Sequence, residues 1–205
     1  MARDKDYRNT EYCPQLNKVE EQKEILEKEI KLESPRTKII YNKVNNRDSI
    51  YHKKFAQIYN HKCAYCGALS GLLPVESFEV DHFINEASFP NTTEGRAEAG
   101  RMINLVWSCI SCNRGKSGIT IKPPYDELLN VDNGNIAGVF RRDKDYYIRI
   151  CDTYQDDKCF LQALFPQKCR VTSSKLHGEF PQYCISPSGT LLGAGEEPLQ
   201  AYKVY

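Results

Sequence analysis

The chain has 205 residues, 40% of them hydrophobic and 27% charged, with a formal net charge of +1. That is enough sequence for one sizeable domain or a compact core with added segments; no apolar run reaches the length of a membrane span, and Met1 to Asp6 are too polar for a secretory signal, so a cytoplasmic protein is expected. The charge divides as +3 over residues 1–60, −1 over 61–120 and −1 over 121–205, which argues against a strong stand-alone nucleic-acid binder working through a broad basic field.

Residues 1–60 are expected to be mostly helical. Leu16, Val19, Leu26 and Ile30 form a stripe at helical spacing in Glu- and Lys-rich sequence, interrupted at Lys23. The interruption argues against a long self-associating coiled coil. It leaves an amphipathic helix packed on the protein's own core, or a docking helix for a partner. Ser34-Pro35 ends this helix, because the residue before proline is pushed out of the α region. A second helix is expected to start at Asp48-Ser49, whose short side-chain oxygens can cap a first turn, and to run through Ile50, Phe55, Ile58 and Tyr59 to Asn60. It delivers the chain to His61-Lys62-Cys63.

Nine cysteines are present. Five of them (Cys13, Cys151, Cys159, Cys169, Cys184) are scattered, as expected of small buried hydrophobes or inert thiols. The other four form two Cys-x-x-Cys pairs, Cys63/Cys66 and Cys109/Cys112, with 42 residues between them. Paired Cys-x-x-Cys in a chain without secretory features points to metal rather than disulfides. Two such turns complete a tetrahedral shell with no open position, so a structural zinc ion is expected. The gap between them must form a structured excursion.

That excursion opens with Phe78-Glu79-Val80-Asp81-His82-Phe83-Ile84, an alternating segment suited to a strand. A polar loop is expected at Asn91–Gly95. Ile103-Asn104-Leu105-Val106-Trp107 then leads to the second knuckle and to Asn113-Arg114-Gly115-Lys116. Asp81-His82 places a hard oxygen ligand beside a base that titrates near neutrality. Asn113 adds a second oxygen, and such a set suits Mg²⁺. Arg114 or Lys116 can touch a phosphate or be a solvated surface charge. Tyr65 and Trp107 are expected to pack around the knuckles rather than to stack on RNA bases.

Together, Cys-x-x-Cys-Gly, Val-Asp-His-Phe and Asn-Leu-Val-x-x-Cys-x-x-Cys-Asn-x-x-Lys resemble the HNH nucleases in their four-cysteine form, over about residues 61–118. The resemblance implies an α+β fold: a ββα-metal core with a structural four-cysteine zinc site, N-terminal helices before it and a short C-terminal β-containing segment after it. It implies His82 as general base, Asp81 and Asn113 as ligands of one catalytic Mg²⁺ or Mn²⁺, and Asn104 as the residue that orients the loop and the histidine. The activity implied is hydrolysis of a phosphodiester in double-stranded DNA, leaving 5′-phosphate ends. Where similar chains continue Ile-Pro-Lys-Ser, this one has Ile84-Asn85-Glu86-Ala87-Ser88, an acid in place of a base. With the near-neutral charge, that departure points to the cutting subunit of a larger assembly, such as an antiphage complex with an ATPase or sensor subunit. A self-sufficient restriction-type enzyme and an inactive zinc-stabilised binding module are the alternatives.

Beyond Pro123-Pro124, Gly138–Arg142 and Tyr146–Ile150 are expected to form a hairpin and Asp156–Leu164 a short helix. The Gly-, Pro- and Ser-rich stretch from Gly178 on is expected to be irregular. The chain thus divides into an N-terminal helical region (1–60), a zinc-clamped core (61–118) and a C-terminal accessory region (119–205).

Overall fold

The computed structural model of the chain describes residues 6–9, 15–70, 77–116, 119–143 and 148–154, and the backbone of 184–185 and 191–192. The first helix, α1 (Val19–Glu33), is built on Val19, Leu26 and Ile30 of the expected stripe; Leu16 lies before it, cut off by Lys18 in the left-handed region, and Ser34 ends the helix with its N–H on the Ile30 carbonyl at 2.8 Å. Val19, Leu26 and Ile30 are buried, and so is Lys23. The residue that breaks the apolar pattern therefore occupies the stripe. Its Nζ donates to the Leu105 carbonyl at 2.8 Å and the Ile103 carbonyl at 3.2 Å, and pairs with Asp132. Tyr59, itself buried, donates to the other Asp132 oxygen at 2.6 Å. The stripe of α1 is thus covered by the chain's own core.

A short helix without a sequence signal, α2 (Ile40–Val44), follows. Five residues are too few for a period to register, yet Ile40 and Val44, one turn apart, are both buried. The helix α3 (Ile50–Ile58) starts where expected, with the Ser49 hydroxyl accepting from the Tyr51 N–H at 3.1 Å.

Strands β1 (Phe78–His82) and β2 (Leu105–Cys109) pair antiparallel, Phe78 opposite Cys109 and His82 opposite Leu105. The helix α5 (Ile110–Lys116) leaves β2 without a break. The link between the strands holds a 3-10 turn at Glu86–Ser88, the helix α4 (Thr93–Ala99) and a second 3-10 turn at Met102–Asn104. Here the expected polar loop at Asn91–Gly95 is corrected. Thr92 accepts from the Gly95 N–H at 3.1 Å, so the polar residues are a cap and an acidic first turn rather than a loop.

Further on, α6 (Tyr125–Leu128) and α7 (Ile136–Val139) precede β3 (Phe140–Arg142), which pairs antiparallel with β4 (Ile148–Ile150). This is the expected hairpin, shortened because Gly138 and Val139 belong to α7. The helix expected at 156–164 lies outside the described residues. Within the stretch expected to be irregular, β5 (Cys184–Ile185) pairs with β6 (Leu191–Leu192), which corrects that part of it. Two apolar pairs flanking Pro187-Ser188-Gly189 carry a hairpin signal that the Gly and Pro content outweighed.

Among the described residues the architecture is α+β, helices with three two-stranded sheets. One apolar core draws on Ile30, Phe55, Phe78, Trp107, Ile136 and Phe140. No helix of the described residues is long and apolar enough to cross a membrane.

The Lys23–Asp132 pair is the least forgiving point of this core. Asp132→Ala should cost about 3–5 kcal/mol, because it strands a buried cation. Lys23→Met combined with Asp132→Asn should recover most of that loss. Urea unfolding midpoints measure both, and a single-variant cost below about 1 kcal/mol would show the pair to be dispensable.

Candidate functional site

Two residues in left-handed conformation, Asn60 (φ 51°) and His61 (φ 56°), turn the chain out of α3. It then doubles back in a tight knuckle, with the Cys63 N–H on the Ala68 carbonyl at 2.8 Å and the Gly67 N–H on the Cys63 carbonyl at 2.9 Å. Gly67 has φ +74°, and a Cβ there would lie 2.4 Å from the Arg8 carbonyl oxygen, so only glycine fits. Cys109 closes β2 and Cys112 lies in the first turn of α5.

All four sulfurs are buried and lie within 4.8 Å of one another. A tetrahedral zinc with bonds of about 2.3 Å sets its sulfurs about 3.8 Å apart. Cys66 Sγ and Cys109 Sγ are 3.9 Å apart. The cluster could therefore hold a metal ion such as zinc, and its four-sulfur shell leaves no place for a substrate. Cys151 is partly buried; the other scattered cysteines lie outside the described side chains.

Alternation along β1 sends Glu79 and Asp81 toward α5. The Glu79 carboxylate accepts from Asn113 Nδ2 at 2.7 Å. One Asp81 oxygen accepts from the Tyr65 hydroxyl at 2.7 Å, and the other lies 3.3 Å from Lys116 Nζ. Burial pushes the Asp81 carboxyl up to about 6, against the opposing pull of Lys116 and Tyr65. Lys116 is itself buried and also donates to the His82 carbonyl at 2.7 Å and the Phe83 carbonyl at 3.3 Å. It is neither a solvated charge nor open to a phosphate; it ties α5 to the end of β1. Arg114 is exposed.

His82 projects the other way and is half-buried, its ring centroid 4.4 Å from that of Tyr41 on α2. Burial lowers the His82 pKa, with Glu86 opposing and Lys116 adding to the shift. Tyr41 is pushed above its ordinary value by burial first, then by Glu79, Glu86 and Asp81. Glu86, the acid that replaces an expected base, is thus within electrostatic reach of the histidine.

Asn104 is buried at the neck of the excursion. Its Oδ1 accepts from the Ile84 N–H at 2.8 Å, while its Nδ2 donates to the Ile84 carbonyl at 3.0 Å and to the Ala99 carbonyl at 2.8 Å. Its own carbonyl accepts from the Phe83 N–H at 2.7 Å. The two residues after His82 are held by this one asparagine. Asp81 and Asn113 therefore lie on facing elements but bond different partners, and His82 meets neither of their side chains.

Sequence reasoning had no signal for Tyr41, nor for the brace around the first knuckle. There the Tyr7 hydroxyl donates to the Tyr65 carbonyl at 2.5 Å, Arg8 to the Ala64 carbonyl at 2.9 Å, and Arg142 to the Cys66 carbonyl at 2.6 Å. Such long-range partners leave no local pattern. The Trp107 ring stacks on Phe78 at 5.8 Å, and the Trp107 carbonyl accepts from the Ala64 N–H of the first knuckle at 2.8 Å. Comparison of the chain with protein-family models, curated proteins and solved structures finds no match.

The purified protein should carry about one zinc per chain by elemental analysis. Cys66→Ser or Cys112→Ser should lose the ion and the cooperative unfolding transition together; full folding of a metal-free variant would remove the ion's structural role. Separately, Asn104→Ala should lower stability by about 1–3 kcal/mol by unpairing the Ile84 amide groups. An unchanged denaturation midpoint would show that the neck needs no such grip.

Proposed function

We propose that the chain is an HNH endonuclease that hydrolyses phosphodiester bonds of double-stranded DNA. The observation that carries this reading is the succession of β1, β2 and α5, clamped by four cysteines, with Asp81 and His82 on the first strand, Asn104 at the neck and Asn113 on the helix.

His82 is the general base. Its burial favours the neutral imidazole at physiological pH, the form that can take a proton from water as the water oxygen bonds to phosphorus. The P–O3′ bond breaks, the 3′ oxygen takes a proton from solvent, and a 5′-phosphate remains. Asn104 fixes the backbone on the C-terminal side of His82 and Lys116 fixes His82's own carbonyl, so the ring's base of support is rigid. Asp81, Asn113 and Glu79 offer oxygen donors of the kind that suits Mg²⁺ or Mn²⁺ rather than a second zinc. A divalent ion held there would supply Lewis-acid stabilisation of the phosphate charge and of the leaving oxygen. It would compete with Lys116 for the Asp81 carboxylate.

The net charge of +1 fits a nuclease to which another subunit, such as an ATPase or sensor of an antiphage complex, presents DNA. A second reading, a zinc-stabilised module without catalysis, draws on the Asp81–Lys116 ion pair, which occupies a ligand position with a fixed cation.

Plasmid cleavage separates the two. With Mg²⁺ or Mn²⁺ the wild type should nick DNA, EDTA should stop it, and His82→Ala should slow it by at least about 100-fold with zinc content unchanged. Equal cleavage by the variant would remove His82 as base. A zinc-loaded wild type that is inert alone and with its partner would favour the binding module.

A further inference from the structure

The near-neutral total hides a strongly uneven stretch. Residues 36–54 hold six basic residues, Arg36, Lys38, Lys43, Arg47, Lys53 and Lys54, against one acid, Asp48, a net +5 in a chain of +1. Ile40, Val44, Tyr51 and Phe55 anchor this stretch in the core, whereas Arg36, Lys38, Arg47 and Lys53 are exposed and Lys43 is partly so. Lys54 pairs with Glu29. Arg36, Lys38, Lys43 and Lys53 have no ion pair among the described residues.

The outer face of α1 is built differently. There Lys18, Lys28 and Lys31 each lie beside a glutamate, at 3.1, 4.0 and 2.6 Å. Pairing at such spacing is the ordinary arrangement of a solvated helix surface. Uncompensated cations in a short stretch repel one another, so their clustering calls for an anionic complement.

Position supplies the second observation. The Tyr41 ring rests on His82, the Tyr41 N–H donates to the Gly100 carbonyl at 3.2 Å, and Arg47 donates to the Phe78 carbonyl at 3.4 Å. The stretch is thus fixed at two points to the excursion and strand that carry His82. At about 3.8 Å per peptide, the Cα atoms of Lys43 and Lys38 lie within about 8 and 11 Å of that of Tyr41.

We propose that the segment spanning α2 and the start of α3 is the surface through which this chain holds the phosphate backbone of duplex DNA beside His82. The proposal rests on the nuclease reading and names its substrate grip. The uncompensated cations of this stretch suit a polyanion.

The test is fluorescence anisotropy of a labelled duplex bound by the full, zinc-loaded chain carrying His82→Ala, titrated across salt concentrations. Adding Arg36→Glu, Lys38→Glu and Lys43→Glu should weaken binding by at least tenfold and reduce the logarithmic salt slope by about three, close to one per lost phosphate contact. Lys18→Glu, Lys28→Glu and Lys31→Glu, which change net charge equally, should leave the slope unaltered. The corresponding glutamine variants of Arg36, Lys38 and Lys43 give the same reading if the reversals disturb folding. An unchanged slope in the α2 variants, an equal loss in both sets, or no duplex binding by the parent would overturn the proposal. Cleavage is scored separately: a chain that cuts DNA with an unaltered slope remains a nuclease and loses this surface. One that binds through the segment without ever cutting keeps the surface and loses the nuclease assignment.

Discussion

Four thiols crowded into a buried space are unstable company. Each must lose its proton to serve as a ligand, and four thiolates within 4.8 Å of one another cannot coexist without a compensating cation. The cluster joins the knuckle that follows α3, the end of β2 and the first turn of α5. A metal ion held there would make this buried corner a common anchor for the knuckle, the hairpin and the helix that carry Glu79, Asp81, Asn113 and Lys116.

Buried cations do the remaining positioning. Lys23, Arg8 and Lys116 are all nearly inaccessible, and each pairs with a carboxylate while donating to backbone carbonyls of a distant segment. A lysine or arginine reaches farther than any apolar side chain and can satisfy carbonyls left over where irregular backbone is buried. Such places occur here because the sheets among the described residues are two strands wide and short turns join the elements. The result is a core in which polar struts span gaps that a larger sheet would have closed with ladder hydrogen bonds.

The sequence made visible whatever is local. The α1 stripe, the Ser49 cap, the strand ending at His82 and the paired cysteines each depend on spacings of a few residues, and each is where spacing places it. What stayed hidden depends on partners far along the chain. Lys23 interrupts an apolar stripe and looks like a flaw until Asp132, more than a hundred residues later, is seen to receive it. Lys116 looks like a surface charge because nothing nearby shows that acceptors of Asp81, His82 and Phe83 surround it. Tyr41 belongs to a helix too short to register, so its contact with His82 had no trace. Thr92 was mistaken in a different way: a polar run can be a loop or the first turn of a helix, and composition alone does not separate them.

The brace around the first knuckle bears on how this fold could be inherited or transplanted. Consecutive carbonyls of Ala64, Tyr65 and Cys66 are capped by Arg8, Tyr7 and Arg142, side chains from opposite flanks of the cysteine-bearing stretch, and Arg142 also donates to the Tyr7 carbonyl at 2.8 Å. The cysteine-bearing stretch is therefore not a portable cassette. Moved into another protein on its own, it would arrive with three buried acceptors exposed and its turn unsupported. Its flanks are parts of the same hydrogen-bonded ring, so changes in either flank and in the knuckle are expected to be tolerated only in concert.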